Sequence, residues 1–265
     1  MTRASLAAAW AVVFTAVAHA QVAPNRASSY LVATDVTDAR ALWVNPAGLG
    51  VRPEASVMLD LTVVQPGATG RLGQVTAGFN ARGLSFGYQR DNFSGGVHGH
   101  TYKLGFAGGS RGFSGGVGVA LYRGGNGGTG WDMGLRYDWL STVTIGGVIR
   151  NIGQPTVRGV RQNVTAVPAV TLRPFGSVLA LSAEASLASA AATRGYAVEA
   201  TAQLPSPAVG LLARYDTDGS LHRRALLFGL SIGTRDRVGA VASTPGDFSK
   251  IDAANVYGVS SRTPK

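Results

Sequence analysis

The chain of 265 residues contains no cysteine. That excludes a disulfide-stapled fold, a thiolate metal site and a thiol nucleophile. Charge is scarce as well. Only 14% of residues are Asp, Glu, Lys or Arg, against about 25% in an ordinary soluble domain. The shortage does not signal disorder, because 45% of the residues are hydrophobic and disordered chains combine low hydrophobicity with high charge. Beyond residues 1–20 no apolar run reaches the length of a membrane-spanning helix. Lysine is scarce, with 3 among the 24 basic residues. The arginines are scattered singly, and no RNA-binding signature accompanies them, so nucleic acid is not an expected partner despite a net charge of +10. Anionic lipid head groups or an anionic ligand suit that excess better.

Residues 1–20 have the three parts of a signal peptide in order. Arg3 supplies the positive start, Ala4 to Val17 the apolar stretch, and Ala18-His19-Ala20 the small-residue cleavage site. Export to the periplasm, the outer membrane or the medium is therefore expected.

What the sequence does contain is alternation. After residue 54, short segments alternate apolar with small or polar residues at period two, the mark of a strand. Residues 131–140 are the clearest case: Trp131, Met133, Leu135, Tyr137 and Trp139 share one face, and Asp132, Gly134, Arg136 and Asp138 the other. About fourteen strands are predicted, near 55–64, 74–81, 84–90, 100–107, 113–122, 131–140, 142–150, 164–172, 178–187, 196–203, 208–215, 224–232, 238–243 and 254–260. Two carry local conflicts: Ala183 to Ala192 would also suit a helix, and Pro168 calls for a bulge.

The charges choose between a soluble sandwich and a membrane barrel. Asp60, Lys103, Asp132, Arg136, Asp138, Arg150, Glu184, Glu199 and Arg214 all fall on the less apolar face. The apolar face of the first thirteen strands holds no Asp, Glu or Lys, and Arg only at strand ends. A charge facing lipid at the midplane costs about 2–4 kcal/mol, whereas one facing a wet lumen costs little. Many apolar-face positions are also small, such as Ala77, Gly115, Gly147, Ala200 and Ala213, which wastes a packed core but not a lipid contact. Trp131, Tyr137 and Trp139 suit an aromatic girdle facing lipid.

Loop lengths point the same way. Connections after even-numbered strands are short: Arg82-Gly83, Ser141, and stretches near 108–112, 173–177, 204–207 and 233–237. Those after odd-numbered strands are longer: 65–73, 91–99, 123–130, 151–163, 188–195, 216–223 and 244–253. Outer-membrane barrels have short periplasmic turns and longer outer loops, which puts both termini on the periplasmic side. The expected fold is an all-β, transmembrane antiparallel barrel over residues 55–265, preceded by residues 21–54, which do not alternate. Within that lead-in, Asp35 to Arg40 could open a helix capped by Asp35 or Thr37, and Asn45-Pro46-Ala47-Gly48 reads as a turn.

An Ala-rich acidic stretch followed by Asn45-Pro46-Ala47-Gly48-Leu49, directly before such a barrel, resembles the long-chain fatty acid transporter (FadL-like) family. It is also similar to the outer-membrane barrels of type IX secretion (PorV-like). The resemblance implies that residues 21–54 form a hatch plugging the lumen, with Asn45 to Leu49 as its turn; the alternative reading of 21–54 is a periplasmic segment. It also implies passive transport of a hydrophobic or amphipathic small molecule or, in the secretion barrels, anchoring of a secreted protein. This chain departs in its short loops and in ending without a terminal aromatic, a place Tyr257 would have to fill.

Other motifs carry little. Gly125 to Gly130 fits G-x-G-x-x-G, but a strand rather than a helix follows, so it reads as a hairpin loop. G-x-S-x-G patterns centred on Ser85, Ser110 and Ser114 lack the strand-turn-helix setting of a nucleophile. His98 and His100 read as solvated loop residues, since catalytic zinc normally has three protein ligands. No enzyme activity, cofactor or metal is expected. The expected partners are outer-membrane lipid and either a small hydrophobic ligand or a secreted protein.

Overall fold

The computed structural model describes residues 28–52, 54–66, 70–157, 159–189, 194–204, 208–247 and 249–263, with only the backbone of Arg194. The expected signal peptide and residues 21–27 lie outside them.

Fourteen long strands form one closed antiparallel barrel. The first seven are β1 (Ala55–Val64), β2 (Arg71–Ala81), β3 (Leu84–Asn92), β4 (His98–Ser110), β5 (Phe113–Gly124), β6 (Asn126–Trp139) and β7 (Val143–Ile152). A two-residue hairpin, β8 (Thr156–Val157) and β9 (Val160–Arg161), interrupts the series and pairs with the start of β6. Seven more follow: β10 (Thr165–Leu172), β11 (Leu179–Ala188), β12 (Arg194–Gln203), β13 (Val209–Asp218), β14 (Arg223–Ile232), β15 (Asp236–Pro245) and β16 (Ala253–Arg262). Each long strand pairs with its neighbours in order, and β1 pairs with both β2 and β16. Closure leaves no open edge to pair with another chain.

Every predicted strand is present. Ala183 to Ala188 is strand, not helix, because β11 is paired on both sides. Pro168 needs no bulge. It sits in unbroken register opposite Gly147 of β7, and the pairing with β11 lapses at Val167 and Pro168 instead. The connection expected over 123–130 is reduced to Gly125, because the glycine-rich chain continues in extended form to the turn and Asn126-Gly127 pairs with β8. The first and last strands meet at Ala55 and Arg262, on the rim that carries the Arg82-Gly83 and Arg111-Gly112 turns.

The two faces differ as the alternation requires. Trp131, Leu135 and Trp139 are 46%, 58% and 55% exposed, so they are not buried between stacked sheets. Arg136, Lys103, Asp60, Glu199 and Arg214 on the opposite faces are buried.

The main apolar core lies on the inner side. Tyr30, Val32, Leu42, Trp43, Val44 and Leu49 pack against inward residues that include Met58, Leu227, Val241, Tyr257 and Val259. The helix expected from Asp35 does not form: among the described residues before β1 the only α-turn is α1 (Ala41–Val44), and Arg40 precedes it with no side-chain cap. The Asp38 carboxylate, a candidate first-turn acid, is taken by the backbone N–H and guanidinium of Arg40. Tyr257 faces inward and stacks on Tyr30 at 5.4 Å, so it is no lipid-facing substitute for a terminal aromatic.

Candidate functional site

The site is the inner wall together with residues 28–52. The Asn45 to Leu49 motif forms a tight corner. Asn45 is extended, its side-chain oxygen accepts from the Ala47 N–H at 3.1 Å, and Pro46 opens a 3-10 turn over Pro46–Gly50. This is capping chemistry: an Asn side chain satisfies a free N–H, and proline has none to satisfy. The Asn45 amide donates to the carbonyls of Ala33 (3.0 Å) and Leu135 on β6 (3.4 Å). The wall is recessed to receive it. A Cβ at Gly134 would overlap the Asn45 side chain, and one at Gly87 would lie 2.7 Å from the Trp43 ring. The sequence turn is thus a capped 3-10 turn bonded to the wall.

Other bonds fasten the segment around the ring. Tyr30 donates to Asp60 at 2.9 Å. The Thr34 and Thr171 hydroxyls share a bond of 2.8 Å. Arg173 pairs with Asp35 at 2.5 Å. Arg150 donates twice to the Val44 carbonyl, at 3.1 and 2.6 Å. Ser56 accepts from the Ala39 N–H at 2.8 Å.

All nine charged positions expected to line the lumen take part in local networks. Arg214 donates to Glu184 at 2.6 Å and to Asp216 at 2.8 Å, and lies 3.8 Å from Glu199. It also reaches the Leu31 carbonyl at 3.4 Å, and Glu184 accepts from the Ala33 N–H at 3.3 Å. Lys103 pairs with Asp132, and its ammonium lies 5.5 Å from the centre of the Trp43 ring. Arg136 pairs with Asp138 at 2.9 Å, and Asp138 also accepts from Thr144. Asp60 accepts from Tyr30, Asn255 and Thr62.

Sequence reading passed over several members. Asp91 is buried and accepts from Gln74 (2.6 Å), Gln89 (3.0 Å) and Asn126 (2.9 Å). The predicted third strand stopped at residue 90, one short of it, although continuing the alternation would have placed Asp91 inside. Asp38 and Arg40 were read as parts of a helix. Burial pushes the Asp38 carboxyl up, but the adjacent Arg40 guanidinium outweighs it and holds the group below its usual range. Burial alone would lower Arg40, and Asp38 reverses that to keep it raised.

The predicted girdle residues Trp131, Tyr137 and Trp139 are all exposed on the outer face of β6. His98 and His100 are on β4 rather than in a loop, and His100 shares a 2.9 Å bond with the Tyr88 hydroxyl. Ser85 and Ser114 are buried strand residues, and Ser85 donates to the Phe79 carbonyl.

No family model and no curated protein matches this sequence. Among solved structures, the chain is similar to the toluene transporter TodX of Pseudomonas putida, with a TM-score of 0.53 and 12% identity, covering 84% of this chain and 92% of that one. It is also similar to a triple mutant of the Rhodopseudomonas blastica porin, with a TM-score of 0.48 and 8% identity, covering 79% of this chain and 99% of that one. At this identity the TodX likeness establishes the fold alone, a closed antiparallel β-barrel.

Proposed function

We propose that the chain is an outer-membrane barrel that passes an amphipathic small molecule without an energy source, and that residues 28–52 are the hatch that must shift to let it through. The observation that carries this reading is the two-sided wall. Its outer face presents Leu135, Phe228 and Val238 more than half exposed, while its inner face buries Lys103, Arg136 and Arg214 in bonded networks. A wall of that polarity is stable where hydrocarbon lies outside and polar matter inside. The amphipathic class follows from the interior. Leu227, Val241 and Val259 offer an apolar strip, and Lys103, Asp132 and Arg136 an ionic one. No covalent chemistry is involved.

The chain has no native cysteine, so a lock is simple to install. Thr34→Cys/Thr171→Cys would join the segment to β10, where the two hydroxyls already touch. In liposomes the oxidised variant is expected to block flux of an amphipathic solute, and reductant to restore it. Equal flux in both states contradicts the hatch.

A second reading is a non-conducting barrel that anchors a secreted protein, as in type IX secretion. The many bonds between residues 30–45 and the wall favour it, since a fixed filling needs no motion. Absence of flux from the wild type and from the reduced variant alike supports this second reading.

A further inference from the structure

The outward faces of β3, β4 and β5 share a gradient. On β3 the exposed side runs Phe86, Tyr88, Arg90 toward the rim opposite the termini. On β4 it runs Leu104, Tyr102, His100 toward the same rim. On β5 it ends in Leu121 and then Arg123. The register aligns the last members in one row: Arg90 opposite His100, and His100 opposite Arg123. Two strand spacings separate the arginine backbones, roughly 10 Å. Both arginines are exposed. Among the described residues neither pairs with a carboxylate. The acid nearest in sequence, Asp91, points inward and is held by three amides.

Two exposed guanidiniums on one row, with no carboxylate beside them among the described residues, suit a phosphate, which arginine binds through charge-assisted hydrogen bonds. Directly beneath the row, Tyr88 and Tyr102 lie 5.3 Å apart, and Tyr88 is bonded to His100. Exposed Tyr102 and half-buried Tyr88 stand between an apolar band and a polar rim, where aromatic residues of membrane barrels meet the lipid head groups. The rim is the one away from both termini, which faces outward in barrels of this type.

We infer that Arg90, His100 and Arg123 form a binding site for the phosphate-bearing head group of an outer-leaflet lipid, with its acyl chains lying along Leu104, Phe86 and Leu121. The inference rests on the membrane reading above and adds a specific lipid contact to it. Each basic side chain near a membrane surface contributes about 1 kcal/mol of attraction to anionic lipid, or about five-fold in binding.

The test uses full-length protein in phosphatidylcholine vesicles containing lipid A, with retained lipid measured by native mass spectrometry. Arg90→Gln/Arg123→Gln is expected to retain lipid A about 25-fold more weakly than wild type. Arg82→Gln/Arg111→Gln, at the opposite rim, is the control and should match wild type. Gel mobility before and after boiling verifies that each variant is folded. Equal retention by the two double variants overturns the site, as does full displacement of lipid A by inorganic phosphate. Wild-type protein that fails to enter bilayers overturns both this inference and the membrane reading. Wild-type protein that inserts but retains lipid A no better than Arg90→Gln/Arg123→Gln overturns this inference alone.

Discussion

The same strands carry two surfaces that obey opposite rules. On the outer surface of β6, Trp131, Leu135 and Trp139 stand about half exposed and carry no charge. On its inner surface, one residue away along the chain, Asp132, Arg136 and Asp138 are each bonded to a partner. A period of two makes this possible: consecutive side chains of a strand point to opposite faces. The comparison teaches that alternation here does not separate core from water. The inner face is polar yet buried, and the outer face is apolar yet uncovered.

Removing a cation from the inner face should cost most. Arg214 lies among Glu184, Glu199 and Asp216. Arg214→Leu leaves buried carboxylates without their counter-ion, and breaking a buried pair from one side costs about 3–5 kcal/mol. Urea unfolding in lipid vesicles measures the loss, and a loss below 1 kcal/mol would mean that this part of the interior is open to water. Next comes the outer face: Leu135→Arg places a charge between the two tryptophans, where about 2–4 kcal/mol is expected. Leu135→Phe, measured the same way, should be close to neutral. If both substitutions are neutral, lipid does not cover that surface.

The attachment of the N-terminal segment is a finer test. Tyr30→Phe removes a hydrogen bond to a carboxylate, worth about 1.5 kcal/mol, while Asn255 and Thr62 remain on Asp60. Protease sensitivity within residues 28–52 should rise while the barrel stays folded. The smallest effect is acid-induced. The Asp38 carboxyl is held below its ordinary value. A carboxylate with a lowered folded-state pKa contributes stability above its unfolded pKa of about 3.9 and loses it as pH falls through the folded value. Trp43 is buried in that segment. Its emission should therefore shift below about pH 4 in a Trp131→Phe/Trp139→Phe background. Asp38→Asn should abolish that pH dependence.

The barrel was legible because the period of two survives even in glycine-rich stretches, with apolar residues on the outer face and most charges on the inner one. Positions such as Arg136 and Glu199 could be assigned to a face by parity alone. Their partners could not. Lys103 meets Asp132 across β5, and Tyr30 meets Asp60 and Tyr257, through closure of the ring and through the lead-in segment rather than through any local spacing. Residues 28–52 were the least legible part. They have no period, and the short acidic run from Asp35 to Asp38 resembles a helix start when Asp38 is in fact taken by Arg40. Parity also failed to show that inward Leu227, Val241 and Val259 form an apolar seat for that segment, since an apolar residue on the polar face looks like noise until its partner is known.

The central claim is that hydrocarbon touches one face of each strand and the interior the other. Single cysteines placed in turn from residue 131 to 139, in a chain that has none of its own, each carry an environment-sensitive fluorophore in vesicles containing brominated lipid. The account predicts strong quenching at 131, 133, 135, 137 and 139, and little at the four positions between them. Uniform quenching along the series, or none at the odd positions, would contradict it.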